Sequence, residues 1–186
     1  MAPKPRSCLR HLEALPRETL RDKRDRAFIL FLLSTGARIA EALRLDRGDW
    51  KPAGMTVIGK GDRERPVSIT EKAKEAMEQY LAARQDPSPA LFIGFQPARK
   101  DSRENRLTVQ GAHHICHTLA LRLGIPRFHP HQLRHTLGTF LQETMGDARL
   151  TAETLGHRGL ASVSGYTKIT DARRREAYEQ MQQRGL

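Results

Sequence analysis

Six residues of this chain have the types and order needed to hold an anion and attack it: Arg38, Lys60, His131, Arg134, His157 and Tyr166. Two guanidiniums can grip the non-bridging oxygens of one phosphate through paired N–H donors, and a helix amino end beside them adds favourable potential. His131 stands three positions before Arg134 in His131-Gln132-Leu133-Arg134-His135, so the two share a helix face and can converge on one anion. His157 follows a glycine at a helix end, in Leu155-Gly156-His157. Two histidines beside two arginines suit hydrogen bonds to a charged oxygen and proton handling near neutral pH. Tyr166 follows the small residues Ser162-Val163-Ser164-Gly165. As a nucleophile its hydroxyl needs exposure and cationic neighbours that lower its pKa. Lys60 lies between two glycines in Gly59-Lys60-Gly61, where nothing buries its stem, a place for a mobile general acid. His135, next to Arg134, is read as a structural histidine.

Composition narrows the partner of such a site. The 186 residues carry a formal net charge of +11, and the pI is near 10.3, which favours a polyanion, most simply nucleic acid. Aromatics are only 5%, which argues against a stacking platform for single strands. A hydrophobic share of 38% and a mean hydropathy of −0.60 fit one soluble globular domain. Two cysteines, Cys8 and Cys116, do not make a disulfide scaffold, and a reducing cytoplasm fits. The longest apolar run, residues 27–33, is far short of a membrane span, and the basic amino terminus lacks the apolar stretch of a signal peptide. No membrane partner is expected.

The elements that must position these residues can be read from periodicity. Residues 1–15 read as a flexible basic segment. Pro16 fits the first turn of a helix, and the apolar positions after Thr19 carry it to about Leu33, with Phe28, Ile29, Phe31, Leu32 and Leu33 buried, broken at Ser34-Thr35-Gly36. A second helix is expected over 38–45, with Ile39, Leu43 and Leu45 inward. Met55-Thr56-Val57-Ile58 and Pro66-Val67-Ser68-Ile69 read as a hairpin around a Gly- and charge-rich turn. Thr70 is the expected N-cap of a helix over 71–84, with Ala73, Met77, Tyr80 and Leu81 on one face. Leu91-Phe92-Ile93 reads as a short buried strand or turn, and 96–106 as a polar, flexible stretch. Further helices are expected over 108–123, from Pro130 to about 144, from Asp147 to about 156, and over 171–183. A turn is expected around 159–163. The fold class predicted is mainly α with a small antiparallel β-sheet (α+β).

Taken together, these motifs resemble the tyrosine recombinase (phage integrase) family, which includes the Xer proteins, Cre and lambda integrase. The likeness rests on Thr35-Gly36-Ala37-Arg38-Ile39-Ala40-Glu41 with Leu43 and Leu45, on Gly59-Lys60-Gly61 with Arg65, and on the motifs ending at His135, His157 and Tyr166. It implies a catalytic domain over 16–186; the sequence departs from typical members in lacking their amino-terminal DNA-clamping domain, as either an excised catalytic fragment or a naturally single-domain recombinase. It implies that Tyr166 attacks a scissile phosphate of double-stranded DNA, giving a 3′-phosphotyrosyl link and a free 5′-hydroxyl. Arg38 and Arg134 would stabilise the pentacoordinate charge, His131 and His157 would bond the same phosphate, and Lys60 would protonate the leaving oxygen. Glu41 would position its neighbours. No cofactor or metal is implied, because the covalent link conserves the bond energy. The resemblance also implies a homo-oligomer, a tetramer on paired DNA sites with a monomer in solution, and a place in the cytoplasm at the nucleoid. The last helix is expected either to dock on a neighbouring protomer or to present a solvated charged face.

Three alternatives compete. His113, His114 and His117 have helical spacing for a metal, but the zincin pattern requires Glu beside the first His, where His114 stands. A non-cutting DNA-binding module of the same fold would have no reason to keep all six groups. An isolated catalytic domain could instead nick and close DNA in the manner of a topoisomerase.

Overall fold

The computed structural model describes residues 17–59, 64–95, 105–122, 124, 129–155 and 171–183. Helix α1 (Leu20–Thr35) starts at a reciprocal cap: Thr19 Oγ1 accepts from the Asp22 amide at 3.1 Å, and Asp22 Oδ2 accepts from the Thr19 amide at 3.1 Å. From Ala27 onward every residue of α1 is buried, Leu30 included. A helix that is apolar all round belongs at the centre of a domain, and α1 lies against α3 (Glu71–Ala82) on one side and α5 (Pro130–Met145) on another. Gly36 ends α1 in the left-handed conformation, φ 60°, and donates its amide to the Leu32 carbonyl. The chain then turns directly into α2 (Ile39–Arg44), where Leu43 is buried and Ile39 only partly so. Buried Leu45 follows, and a 3-10 turn spans Arg47–Asp49.

The hairpin is present, two residues out of the expected register. Strand β1 (Met55–Ile58) pairs antiparallel with β2 (Glu64–Val67), Met55 opposite Val67 and Thr56 opposite Pro66. Proline has no amide to donate, and a two-stranded ribbon, which is all edge, tolerates it. Met55, Val57 and Val67 turn inward.

Helix α3 stops at Ala82, short of the expected 84, because the Arg84 side chain is drawn back to brace the following loop. Its guanidinium donates to the carbonyls of Ser88, Ala90 and Leu91 and to both carboxylate oxygens of Asp86. Thr70 occupies the cap position but makes no side-chain cap bond; its amide donates to Ser34 Oγ at 2.7 Å instead. Residues 91–93 are buried as expected. Phe92 meets Phe28, Phe31 and Tyr80 with ring centroids at 5.1, 5.6 and 6.2 Å, and the Ile93 amide donates to Tyr80 Oη at 3.1 Å.

Helix α4 (Val109–Arg122) is capped by Thr108, whose hydroxyl accepts from Gly111. Pro130 is the first residue of α5, and Asp147 caps α6 (Ala148–Leu155) through the Leu150 amide. Helix α7 (Asp171–Gln183) has the bounds expected. Its apolar side, Ala177, Tyr178 and Met181, is buried within this same chain, against α5. Its charged side, with Arg175, Glu176 and Glu179, faces solvent, as the second of the two expectations had it. Tyr178 Oη donates to the Ser34 carbonyl at 2.9 Å. Tyr178→Phe removes that bond, and urea unfolding should show a loss of about 1 kcal/mol.

The observed class is mainly helical with one small antiparallel sheet. Among the described residues no helix is long and apolar enough to cross a membrane.

Candidate active site

Four charged side chains from three elements meet where α1 ends: Arg38, Glu41, Arg65 and Arg134. The tight turn at Gly36 puts Arg38 at the N-cap of α2, and one helical turn on, Glu41 reaches back to it. The Arg38 amide donates to Glu41 Oε2 at 2.9 Å, and its guanidinium donates to Oε1 at 2.7 Å. Arg65, from β2, reaches the same carboxylate at 3.1 Å. Glu41 is only 4% exposed. Burial pushes its carboxyl up, but the bonds from Arg38 and Arg65 outweigh that and hold it below its ordinary value.

Arg134 enters from α5 and is buried rather than solvated. Its guanidinium donates to the Gly36 carbonyl and to the Leu155 carbonyl at the end of α6. Arg65 also donates to Gly36, at 3.4 Å, and to the Thr154 carbonyl at 2.8 Å. The last carbonyls of a helix have no partner inside it, so two arginines close the end of α6. Burial, with repulsion from Arg38 and Arg65, pushes Arg134 down to about 10, still protonated at neutral pH. Burial also lowers Arg65, partly offset by Glu41. Three guanidiniums face one carboxylate, which leaves two positive charges unmatched within the cluster. Carrying unmatched charge in a partly buried site costs stability unless an anion completes it. The Arg38 side chain, 46% exposed, is the cluster's open face.

A groove of about 400 Å³ adjoins the cluster, lined by His131, Arg134, His135, Gly138, Thr151 and Leu155 among others. His131 is exposed at its rim. His135 does not fit the structural role expected of it: it is exposed, and its ring stands edge-on to His131 with centroids 6.3 Å apart. A larger groove of about 570 Å³, between the turn before β1, the hairpin and Arg175, carries none of Arg38, His131 and Arg134, the expected site residues among those described.

Of the six expected residues, the structure brings Arg38 and Arg134 together and sets His131 beside Arg134. Lys60, His157 and Tyr166 lie outside the described residues, as does the turn expected over 159–163. The described chain stops at Gly59 and Leu155, one and two residues before Lys60 and His157. Sequence reasoning placed Arg65 in a motif without giving it a task. A signal was available: strand alternation puts Arg65 on the face of buried Val67, and an arginine on an inward face needs acceptors there. Among the described residues no group of three or more His, Cys, Asp or Glu could hold a metal.

The fold and this cluster define a mainly helical domain with a partly buried, net-cationic cluster at the junction of α1, α2, α5 and α6. Residues 9–173 match the Phage integrase family, and the chain belongs to that family. It is similar to the tyrosine recombinase XerC of Mycobacterium sp. (strain KMS), 35% identical over 165 residues, which cover 84% of this chain and 53% of that protein. XerC of Actinobacillus pleuropneumoniae serotype 7 (strain AP76) is 36% identical over 154 residues, 80% of this chain and 48% of the relative. The chain thus spans about half the length of these relatives. Among solved structures, the XerA recombinase superposes with a TM-score of 0.69 at 26% identity, over 95% of this chain and 63% of that one. The XerH site-specific recombinase bound to difH substrate gives the same TM-score at 24% identity over 93% of this chain and 51% of that one, a likeness of fold.

Proposed function

We propose that residues 16–186 are the catalytic domain of a site-specific DNA recombinase that cuts and rejoins double-stranded DNA through a 3′-phosphotyrosyl intermediate. The observation that carries it is the Arg38–Glu41–Arg65–Arg134 cluster, whose unmatched positive charge opens beside His131 in a chain of the integrase family. In this reading a phosphodiester is the missing anion. The Tyr166 oxygen attacks phosphorus while the bond from phosphorus to the 5′-oxygen breaks. The phenolic proton passes to a histidine, His131 or His157, and Lys60 delivers a proton to the leaving 5′-oxygen. Arg38 and Arg134 stabilise the charge that builds on the equatorial oxygens, which a preorganised site does without reorganising at the moment of reaction. Religation is the same step reversed. The full reaction pairs two DNA sites in a homo-tetramer, in the cytoplasm at the nucleoid, and the solved XerH complex with its difH substrate and the Tn1549 transposon integrase in complex with circular intermediate DNA support DNA as the partner.

The test is a pool of nicked suicide duplexes with randomised half-sites, incubated with the chain in EDTA and resolved under denaturing conditions. The wild-type chain should give a covalent protein–DNA band and Tyr166→Phe none. A band that persists in Tyr166→Phe places the nucleophile elsewhere. No band from the wild-type chain removes the activity altogether.

A further inference from the structure

Arg65 touches more of the site than any role yet given to it explains. It lies in β2 opposite Val57, five residues after Lys60. From there its guanidinium spans the cluster, donating to the Thr35 carbonyl at 3.4 Å, the Gly36 carbonyl at 3.4 Å, Glu41 Oε2 at 3.1 Å and the Thr154 carbonyl at 2.8 Å. Its side chain is 12% exposed, and its Nε is buried with no hydrogen-bond partner among the described residues. Burying a guanidinium in this way costs stability even with Glu41 beside it, and the charge is repelled by Arg38 and Arg134. A fold that needed only to fill this space would do better with an apolar side chain.

Each acceptor Arg65 holds sits next to a group that handles the phosphate in the reading above. Glu41 orients Arg38. Gly36 is the shared acceptor of Arg134. Thr154 precedes Leu155, the other acceptor of Arg134, and lies three residues before His157. On the far side, β2 begins four residues after Lys60 in the sequence. We infer that Arg65 is a positioning residue for phosphodiester cleavage: without touching DNA, it locks β2, the α2 carboxylate and the end of α6 into one frame, so that the two phosphate-binding arginines keep a fixed spacing. The inference rests on the proposed recombinase reading. Arginine is specific for the task, because one planar fork serves a carboxylate and several carbonyls at once, whereas a lysine ammonium acts as a point charge with a single centre.

The experiment uses the full chain and a suicide duplex selected by the wild-type protein in the pool described above. DNA affinity is measured separately from the single-turnover cleavage rate at saturating DNA. In Arg65→Met, affinity should stay within about threefold while the cleavage rate falls on the order of a hundredfold, the scale of a roughly 1 Å misplacement of reacting groups. Arg65→Lys should recover about a tenth of the wild-type rate, since it can still meet Glu41 but cannot brace the carbonyls as well. Wild-type cleavage by Arg65→Met overturns the inference. So does a loss of affinity matching the loss of rate, which would make Arg65 a DNA contact. If Arg65→Met does not fold, the same split measured on Arg65→Lys decides. Failure of the wild-type chain to form the covalent band sinks the recombinase reading itself, and an active parent with an indifferent Arg65 sinks only this assignment.

Discussion

Arg134→Ala should lose cleavage and stability together, two readouts from one side chain doing two jobs. In the resting fold the Arg134 guanidinium closes the end of α6 through the Leu155 carbonyl and shares the Gly36 carbonyl with Arg65. Truncation leaves the Leu155 carbonyl without that donor, and a buried acceptor stripped of its partner costs about 1–3 kcal/mol. The charged donor and its packed stem add to this, while relief of repulsion with Arg38 and Arg65 subtracts. A net loss of about 2–4 kcal/mol is expected, or about 5–15 °C in Tm for a chain of this size. Cleavage should fall about 10²–10³-fold, the effect of removing a major donor to a developing oxyanion. Arg134→Lys separates the two jobs. Its ammonium can reach one carbonyl and recover part of the Tm, but it cannot hold two carbonyls and still offer a fork to phosphate. Calorimetry and the suicide-substrate assay on the same preparations check both. Normal cleavage with a depressed Tm would make Arg134 a helix cap only, and an unchanged Tm would contradict its placement.

How far the sequence showed this site depends on whether a residue's task is local. Most helix ends are legible because their signals lie in the chain itself: Gly36, Thr108, Pro130 and Asp147 mark boundaries close to those observed, whereas the first helix begins at Leu20 behind a Thr19–Asp22 cap and Pro16 lies outside the described residues. The second strand slipped because Pro66-Val67-Ser68-Ile69 has the better β composition. The pairing instead begins at charged Glu64 and Arg65, whose place is set by the core and the cluster rather than by propensity. His135 was misread through its neighbour. At 100° per residue, positions four apart lie about 40° from each other, so His135 follows His131 to the groove while Arg134 turns inward. Helix α7 shows a deeper limit. Ala177, Tyr178 and Met181 announce an apolar face, and nothing in their spacing says whether the surface that covers it belongs to this chain or to another; here α5 of the same chain covers it. The basic composition had a similar ambiguity. Arg24 and Arg106 donate to backbone carbonyls of distant segments and Arg84 to those of the loop that follows it, so part of the positive charge that suggested nucleic acid is spent on holding loops in place.

Gly36→Ala should damage the site more than any other single-methyl change, and Gly146→Ala measures how much of that is mere backbone cost. Both glycines end a helix in the left-handed region, Gly36 after α1 at φ 60° and Gly146 after α5 at φ 62°. A Cβ there costs an L-residue roughly 1–2 kcal/mol at either position. The surroundings differ. A Cβ on Gly146 meets nothing within 4 Å, whereas one on Gly36 would lie 2.7 Å from Leu155 Cδ2 and 2.9 Å from Leu137 Cδ2. Both leucines are buried, so the added methyl must displace packed side chains, at about 1–3 kcal/mol more. Displacement matters here because the Gly36 carbonyl is the acceptor that Arg65 and Arg134 share and Arg38 is two residues on. Urea unfolding should therefore give Gly146→Ala a loss of about 1–2 kcal/mol with cleavage intact, and Gly36→Ala about 2–5 kcal/mol with cleavage down at least tenfold at a temperature where both variants are folded. Equal stability losses would mean that the contact with Leu155 and Leu137 relaxes freely. Intact cleavage in a destabilised Gly36→Ala would mean that the shared carbonyl does not set the spacing of the arginines.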